Sequence, residues 1–225
     1  MRLHSNRAKL GVSLWAALCL TLVGALPGSA AAVTDPSNDF VPTFDGPHNS
    51  DLDALSANVT LNGSSLDFTA TLSGPIGQTP GAQYVFGLNR GKGMPLFANI
   101  NEPNVLFDAN FVLRPFGQSV TNDLIAKTAT NVNTVSFSGS TINGVVPLSD
   151  LPSEGFSPNN YRVSFWPETT PDIPTNTNVS DFAPNNATAA ITTTPEPGTL
   201  SLLGVAVAGA VAVLRRRKSA LLSVG

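Results

Sequence analysis

Alternation of apolar and polar residues dominates residues 55–73 and predicts two β-strands. Apolar residues occupy every second position of both 55–61 and 66–73, which is the period of a half-buried strand. Asn62 and Gly63 lie between the two stretches, and a type I′ turn needs positive φ at both central residues, which Asn and Gly tolerate. The sequence therefore predicts a β-hairpin with Asn62 and Gly63 in its turn.

Stretches of the same period recur through the central part of the chain, and none keeps the 3.6-residue apolar period of a helix. In the last of them, Tyr161, Val163 and Phe165 are expected to face inward. We predict an all-β domain over 33–182, a single antiparallel β-sandwich that is jelly-roll-like. The further predicted strands are 83–89, 104–113, 118–126, 132–138, 141–146 and 160–166.

The chain loses its large apolar residues after this domain. Residues 183–194 consist mainly of Ala, Thr, Pro and Asn, a composition that buries too little apolar surface to fold. They predict a flexible stalk, whereas Phe182, just before it, is expected to pack on the sandwich. The proline-bounded segment 147–152 predicts at most one helical turn.

An uncharged run of 17 residues, 10–26, lies near the N-terminus. Basic residues precede it and small residues follow it, which is the order of a secretory signal peptide. We predict a signal peptide over 1–32, with cleavage between Ala30 and Val33. The alternative is a permanent N-terminal anchor.

A second uncharged run of 17 residues, 198–214, lies near the other end. As a helix it would be about 25 Å long, slightly short of a hydrocarbon core of roughly 30 Å. We predict a transmembrane helix here and a short cytoplasmic tail over 219–225, with the central domain outside. The predicted stop-transfer cluster is Arg215, Arg216, Arg217 and Lys218.

Pro195, Glu196 and Pro197 precede this short apolar segment and its arginine cluster. Over 195–218 the arrangement resembles the PEP-CTERM sorting signal of exopolysaccharide-producing bacteria. The resemblance implies that a transpeptidase-like exosortase recognises the tail and cuts it near Pro-Glu-Pro. It also implies a membrane-anchored precursor that reaches the cell surface or extracellular matrix. The alternative is an ordinary membrane anchor that is never cut.

The charges are shared unevenly along the chain. Residues 33–194 hold five Lys and Arg residues against 14 Asp and Glu residues, a net charge of −9. A domain this acidic repels phosphate backbones, so nucleic acid is not expected as a partner. The single cysteine, Cys19, lies in the predicted signal peptide, which excludes disulfides and thiolate metal sites from the domain.

The start of the predicted domain is rich in aspartate. Calcium binds six to eight hard oxygen ligands, so this segment is a candidate calcium site. It does not fit the EF-hand pattern, and the alternative is a solvated loop whose aspartates form Asx turns. The candidate ligands are Asp35, Asp39, Asp45, Asp51 and Asp53.

The residues required for hydrolysis are sparse. His48 is the one histidine of the predicted domain, and no Gly-x-Ser-x-Gly motif presents a serine. A glycosidase needs two carboxylates across the sugar, but Glu102, Glu154 and Glu168 lie beside prolines or in loop-like segments and are expected on the surface. No catalytic residue is therefore predicted.

Trp166 is the candidate for sugar recognition. It ends the last predicted strand on the face opposite Phe165, with Arg162 nearby, and an exposed indole plane could stack on a sugar. The alternative is that Trp166 packs in the core, as tryptophans in sandwiches usually do. Arg90 and Lys92, on either side of Gly91, are expected in an exposed turn.

Together these features predict a non-enzymatic surface or extracellular-matrix protein associated with exopolysaccharide. The alternative function is a calcium-stabilised hydrolase or lyase that acts on the same polysaccharide.

Overall fold

Two β-sheets form the computed structural model of the chain, which describes residues 32–170 and 175–194. The predicted signal peptide, sorting motif, transmembrane helix and cytoplasmic tail lie outside these residues. Within the described ranges no helix is both long and apolar enough to cross a membrane. The only helical elements there are 3₁₀ turns at Ser50–Leu52, Ala98–Ile100, Leu148–Asp150 and Pro158–Asn160.

Sheet A has the order β1-β2-β3-β9-β8, with β12 also on the edge of β2. All its pairs are antiparallel except β12 with β2, which is parallel. Its strands are β1 (Val33–Thr34), β2 (Ala54–Asn62), β3 (Ser65–Leu72), β8 (Val135–Ser138), β9 (Thr141–Pro147) and β12 (Thr192–Thr193).

Sheet B has the order β11-β10-β4-β5-β6-β7 and is antiparallel throughout. Its central strand β4 is buried along its whole length, because sheet A covers one face and the loop 90–108 covers part of the other. Its strands are β4 (Gln83–Asn89), β5 (Ala109–Leu113), β6 (Ser119–Asp123), β7 (Thr128–Val132), β10 (Arg162–Glu168) and β11 (Ala189–Ala190).

The core lies between the sheets and is rich in phenylalanine. The ring of Phe68 from sheet A contacts Phe86 and Phe111 of sheet B edge-on, each at a centroid distance of 5.1 Å. Gly144 of β9 allows this packing, since a Cβ there would lie 2.6 Å from the Phe111 ring. The predicted inward residues Tyr161, Val163 and Phe165 are all buried, as expected.

The predicted all-β class and its two antiparallel sheets are confirmed, but the strand order is not that of a jelly roll. Strands β4 to β7 are neighbours in one sheet and follow one another as a meander. Short turns join β5 to β6 and β6 to β7, and the longer loop 90–108 joins β4 to β5. Each strand is thus followed by its neighbour in the same sheet, whereas a pair of Greek keys requires crossings between the sheets.

The hairpin of β2 and β3 is present, but its turn is shifted by one residue. Asn62 pairs with Ser65, so Gly63 and Ser64 are the central residues. Only Gly63 has positive φ (57°) among them, which fits a type II′ turn rather than type I′.

The predicted flexible stalk is wrong. Residues 189–190 form β11 on the edge of sheet B, and residues 192–193 form β12 on the edge of sheet A. Ile191 between them is only 4% exposed. One buried isoleucine and the hydrogen bonds of two sheet edges are enough to order a segment whose composition suggests disorder.

Candidate functional site

A cleft lies on the outer face of sheet B and is the main candidate binding site. Strand alternation turns Gln83 and Val85 of β4 outward, with Asn110 and Val112 of β5 and the following residue Arg114 beside them. The loop 90–108 forms one wall through Leu96 and Phe107. The cavity has a volume of about 430 Å³, which is within the usual range of small-molecule sites.

Trp166 is buried at the inner end of this cleft. It is 2% exposed, so the prediction of an exposed stacking plane is wrong. Its indole packs on Phe97, Phe107 and Phe182, with centroid distances of 4.9, 5.1 and 5.9 Å. The ring also lies over Gly87, where a Cβ would be 2.6 Å from it. Trp166 therefore belongs to a buried aromatic cluster beneath the cleft.

A row of polar side chains crosses the cleft from β10 to β5. The Glu168 carboxylate accepts a hydrogen bond from Gln83 Nε2 (2.6 Å) and another from Trp166 Nε1 (3.2 Å). Arg114 Nε in turn donates to Gln83 Oε1 (2.9 Å). Burial raises the pKa of Glu168, while the bonds from Trp166 and Gln83 and the charge of Arg114 oppose the increase. The row holds one carboxylate in a fixed orientation.

Side-chain amides continue the polar surface. Asn122 Nδ2 donates to Asn110 Oδ1 (2.6 Å), so one polar atom of each amide remains for a ligand. Asn178 also hydrogen-bonds Glu168, and Asn176 lines the cleft. Amides and a carboxylate over an apolar floor are suited to neutral hydroxyl-bearing ligands.

Arg162 is exposed and lies outside the cleft. Its Nε donates to Thr188 Oγ1 (3.0 Å) and its guanidinium also contacts the Thr188 carbonyl. The structure therefore separates Arg162 from Trp166, although both side chains are on the outer face of β10.

A cluster of three carboxylates forms a second feature. One oxygen from each of Asp35, Asp39 and Asp181 lies within 4.8 Å of the other two. Asp181 is fully buried and accepts from the backbone N–H groups of Ala54 and Phe182, both at 2.8 Å. In contrast, one buried oxygen of Asp35 and one of Asp39 have no hydrogen-bond partner. Oxygen donors of this kind are those that calcium binds.

Burial and mutual repulsion raise the pKa values of two aspartates in the cluster. Burial, with the charges of Asp39 and Asp53, raises the pKa of Asp35 to about 7. Burial, with the charges of Asp35 and Asp39, raises the pKa of Asp181 to about 8. Asp35 and Asp181 are therefore easier to protonate in the fold than in the unfolded chain.

The structure groups only part of the predicted calcium set. Asp35 and Asp39 belong to the cluster, and Asp53 lies beside it and accepts from Asn38 N. Asp51 instead binds Thr79 N and Oγ1 at 2.7 and 2.6 Å, and Asp45 accepts from the Thr177 hydroxyl. The sequence reading missed Asp181, which is far from the other members along the chain.

Arg90 is not in an exposed turn, contrary to the prediction. It is fully buried and binds Asp108 Oδ1 at 2.8 Å and Asp123 Oδ2 at 2.9 Å. Its guanidinium also donates to the Pro152 carbonyl. These two ion pairs join the end of β4, the start of β5 and the end of β6. Lys92 is the exposed member of the predicted pair and bridges to Glu154 (2.7 Å).

The residues considered for hydrolysis are dispersed. His48 stacks on Phe40 at a centroid distance of 4.3 Å. Glu154 pairs with Lys92. The Glu102 carboxylate accepts a hydrogen bond from the backbone N–H of Asn186. Glu168 lies in the cleft, so the expectation that it is a surface residue is wrong.

Comparison with known families identifies the tail. The family model of the PEP-CTERM protein-sorting motif matches residues 193–218. This range includes the basic cluster and the predicted motif residues Pro195, Glu196 and Pro197. Among curated proteins, none matches the chain.

The motif implies processing by an exosortase and anchoring of the precursor in the membrane. The chain therefore carries a PEP-CTERM sorting signal, which indicates that it is exported as a membrane-anchored precursor and processed to the cell surface.

Proposed function

We propose that the exported domain is a non-enzymatic surface or matrix protein that binds extracellular polysaccharide in the cleft of sheet B. The observation that carries the proposal is the polar row of Glu168, Gln83 and Arg114 beside the paired amides of Asn110 and Asn122. Fixed amides and a carboxylate bind sugar hydroxyls through directional hydrogen bonds.

The charge of the domain favours a neutral sugar. Residues 33–194 carry a net charge of −9, and Glu168 adds an anionic group within the cleft itself. A uronic acid or sulfated unit would meet repulsion from both. Arg114 lines the same cleft, but its charge is offset by that of Glu168, with which it interacts. Its Nε and Nη1 atoms already donate to Gln83 and to the Gln118 carbonyl.

The cleft also favours binding over hydrolysis. Among the described residues that line it, Glu168 is the one carboxylate, whereas glycoside hydrolysis uses a pair. Each oxygen of Glu168 accepts a hydrogen bond from a protein donor. The carboxylate is therefore fixed in orientation, as a group that binds a ligand needs to be.

Polysaccharide binding is testable with purified residues 33–194, which contain both sheets and the whole core. Calorimetry against neutral and acidic fractions of the polysaccharide from the source cells should show binding to a neutral fraction. Glu168→Gln and Asn110→Ala should each weaken it about tenfold, as expected for lost hydrogen bonds to a bound ligand.

Asn143→Ala is the matched control, because Asn143 is an exposed amide on the outer face of sheet A. This variant should bind as the parent does. Absence of binding to every fraction, or equal loss in the control, would reject the cleft as a polysaccharide site.

The second candidate function is a calcium-stabilised hydrolase or lyase. The convergence of Asp35, Asp39 and Asp181 favours its calcium part. Polysaccharide chain length after incubation, followed by size-exclusion chromatography with and without EDTA, tests it. Intact polymer and a melting temperature that EDTA does not change would eliminate this candidate.

A further inference from the structure

The sorting motif begins where the folded domain ends. Strand β12 pairs Thr192 with Thr60 and Thr193 with Leu61 of β2, and Thr194 N donates to the Leu61 carbonyl at 3.0 Å. Pro195 is the next residue. No spacer therefore separates the motif from sheet A.

Side-chain contacts hold this last segment in place. Ile191 is 4% exposed in the core, and its N–H donates to the Tyr161 carbonyl (3.3 Å). The Thr192 hydroxyl is 2.6 Å from Thr60 Oγ1 and 3.2 Å from the Val59 carbonyl. Because β11 pairs with sheet B and β12 with sheet A, residues 189–194 bridge the two sheets.

This pairing competes with any enzyme that binds the chain around the motif. Enzymes that cut or transfer peptide segments bind them extended, through backbone hydrogen bonds like those of an added β-strand. The backbone of residues 192–194 already makes such bonds to β2. A short edge strand belongs to the least stable part of a fold and opens locally at modest cost.

We propose that β12 controls access to the sorting motif, so that the precursor is processed only while β12 is released from β2. Ile191 and Thr192 are the residues that set how often this occurs. Processing is then fastest before the domain has finished folding and slow afterwards.

A reversible lock on β12 tests the proposal in the full chain. Thr60→Cys with Thr192→Cys places two thiols on paired residues, at a separation that suits a disulfide. The only natural cysteine, Cys19, is replaced by alanine. Pulse–chase in cells that carry the processing enzyme should show loss of processed product when the pair is oxidised and its recovery with dithiothreitol.

A second disulfide separates this effect from general stiffening. Thr71→Cys with Thr141→Cys joins β3 to β9, remote from the tail, and should leave processing unchanged. Thr192→Ala without any disulfide should process about threefold to tenfold faster, since it loses hydrogen bonds that hold β12.

The proposal that β12 controls processing can fail in three ways. Normal processing of the oxidised Thr60–Thr192 pair overturns the proposal, and so does equal blocking by the control disulfide. An unchanged rate for Thr192→Ala overturns the assignment of that residue. Circular dichroism and thermal unfolding of each exported variant establish that the domain has folded.

Discussion

At the residue scale, Arg90 shows how one buried charge organises three strands. Its guanidinium neutralises Asp108 and Asp123, and the same carboxylates accept backbone N–H groups of the adjoining loops. Asp108 accepts from Arg90 and Lys92, and Asp123 accepts from Ile125 and Ala126. The hydrogen bond from Arg90 is the main reason that the pKa of Asp123 lies below its usual range.

Replacement of Arg90 should therefore strongly lower the free energy of unfolding. Arg90→Met keeps most of the volume but leaves two buried carboxylates without a cation, which typically costs about 3–5 kcal/mol. Lys92→Met is the control, because Lys92 is 56% exposed and surface pairs contribute about 0–1 kcal/mol. Urea unfolding of residues 33–194 measures both, and similar losses for the two variants would contradict the assigned role of Arg90.

Arg90 also shows a limit of sequence-based prediction. Its flanking Gly91 and the nearby Lys92 suggest an exposed turn, and no local pattern indicates that two aspartates from other strands converge on it. Asp181 was missed for the same reason, since its partner Ala54 is 127 residues away. Trp166 was placed on the correct face, but the loop that covers it leaves no mark in its own strand.

At the scale of elements, strands with alternating or continuously apolar sequences were predicted well. The stretch 83–89 matches β4, and the first hairpin was placed correctly apart from its turn. Strand β7 was missed because four of its five residues are exposed, so it has no apolar face. Strands β11 and β12 are two residues long, too short for any period to be detected.

The carboxylate cluster of Asp35, Asp39 and Asp181 should make stability depend on pH. The pKa values of Asp35 and Asp181 are raised to about 7 and about 8, whereas the usual value for aspartate is near 3.8. Their folded forms thus bind protons more tightly than the unfolded chain does. Stability is greatest below about pH 4 for these groups and is lost as pH rises towards 8.

Without divalent cations, the melting temperature of residues 33–194 should be higher at pH 5 than at pH 9. Asp35→Asn should reduce this difference, and Asp150→Asn, a change outside the cluster, should not. A cation held by the cluster would restore stability at pH 9, so calcium titration at that pH tests whether the carboxylates bind it. A melting temperature that is constant between pH 5 and 9 would contradict the assigned coupling.

At the scale of the whole molecule, the two ends of the domain share one edge of β2. Val33 pairs with Ala57 antiparallel to β2, so the chain before it runs towards Asn58. Strand β12 occupies the next positions of the same edge and runs parallel to β2, towards Asn62. The chain therefore enters and leaves the domain along the same edge of sheet A, and Thr194 lies at the end of β2 that leads into the turn at Gly63 and Ser64.

This connectivity predicts how the precursor is oriented on the membrane. Three residues separate Thr194 from Gly198, where the apolar run begins, so the chain can span at most about 14 Å there. The turn at Gly63 and Ser64 must then lie near the bilayer. The turn at Gly139 and Ser140 lies at the other end of β2, about 30 Å away for a strand of nine residues.

Site-specific fluorescence in membranes measures this orientation. In a Cys19→Ala background, Ser64→Cys and Ser138→Cys each place a dye at an exposed serine, one at each end of sheet A. Spin-labelled lipid should quench the dye at position 64 strongly and the dye at 138 weakly, because quenching decays over a few ångströms. Processing should abolish the difference, since the released domain no longer has its tail in the bilayer. Equal quenching in the precursor would mean that residues 192–194 are not held on β2 when the protein is anchored, and would contradict the pairing from which the orientation follows.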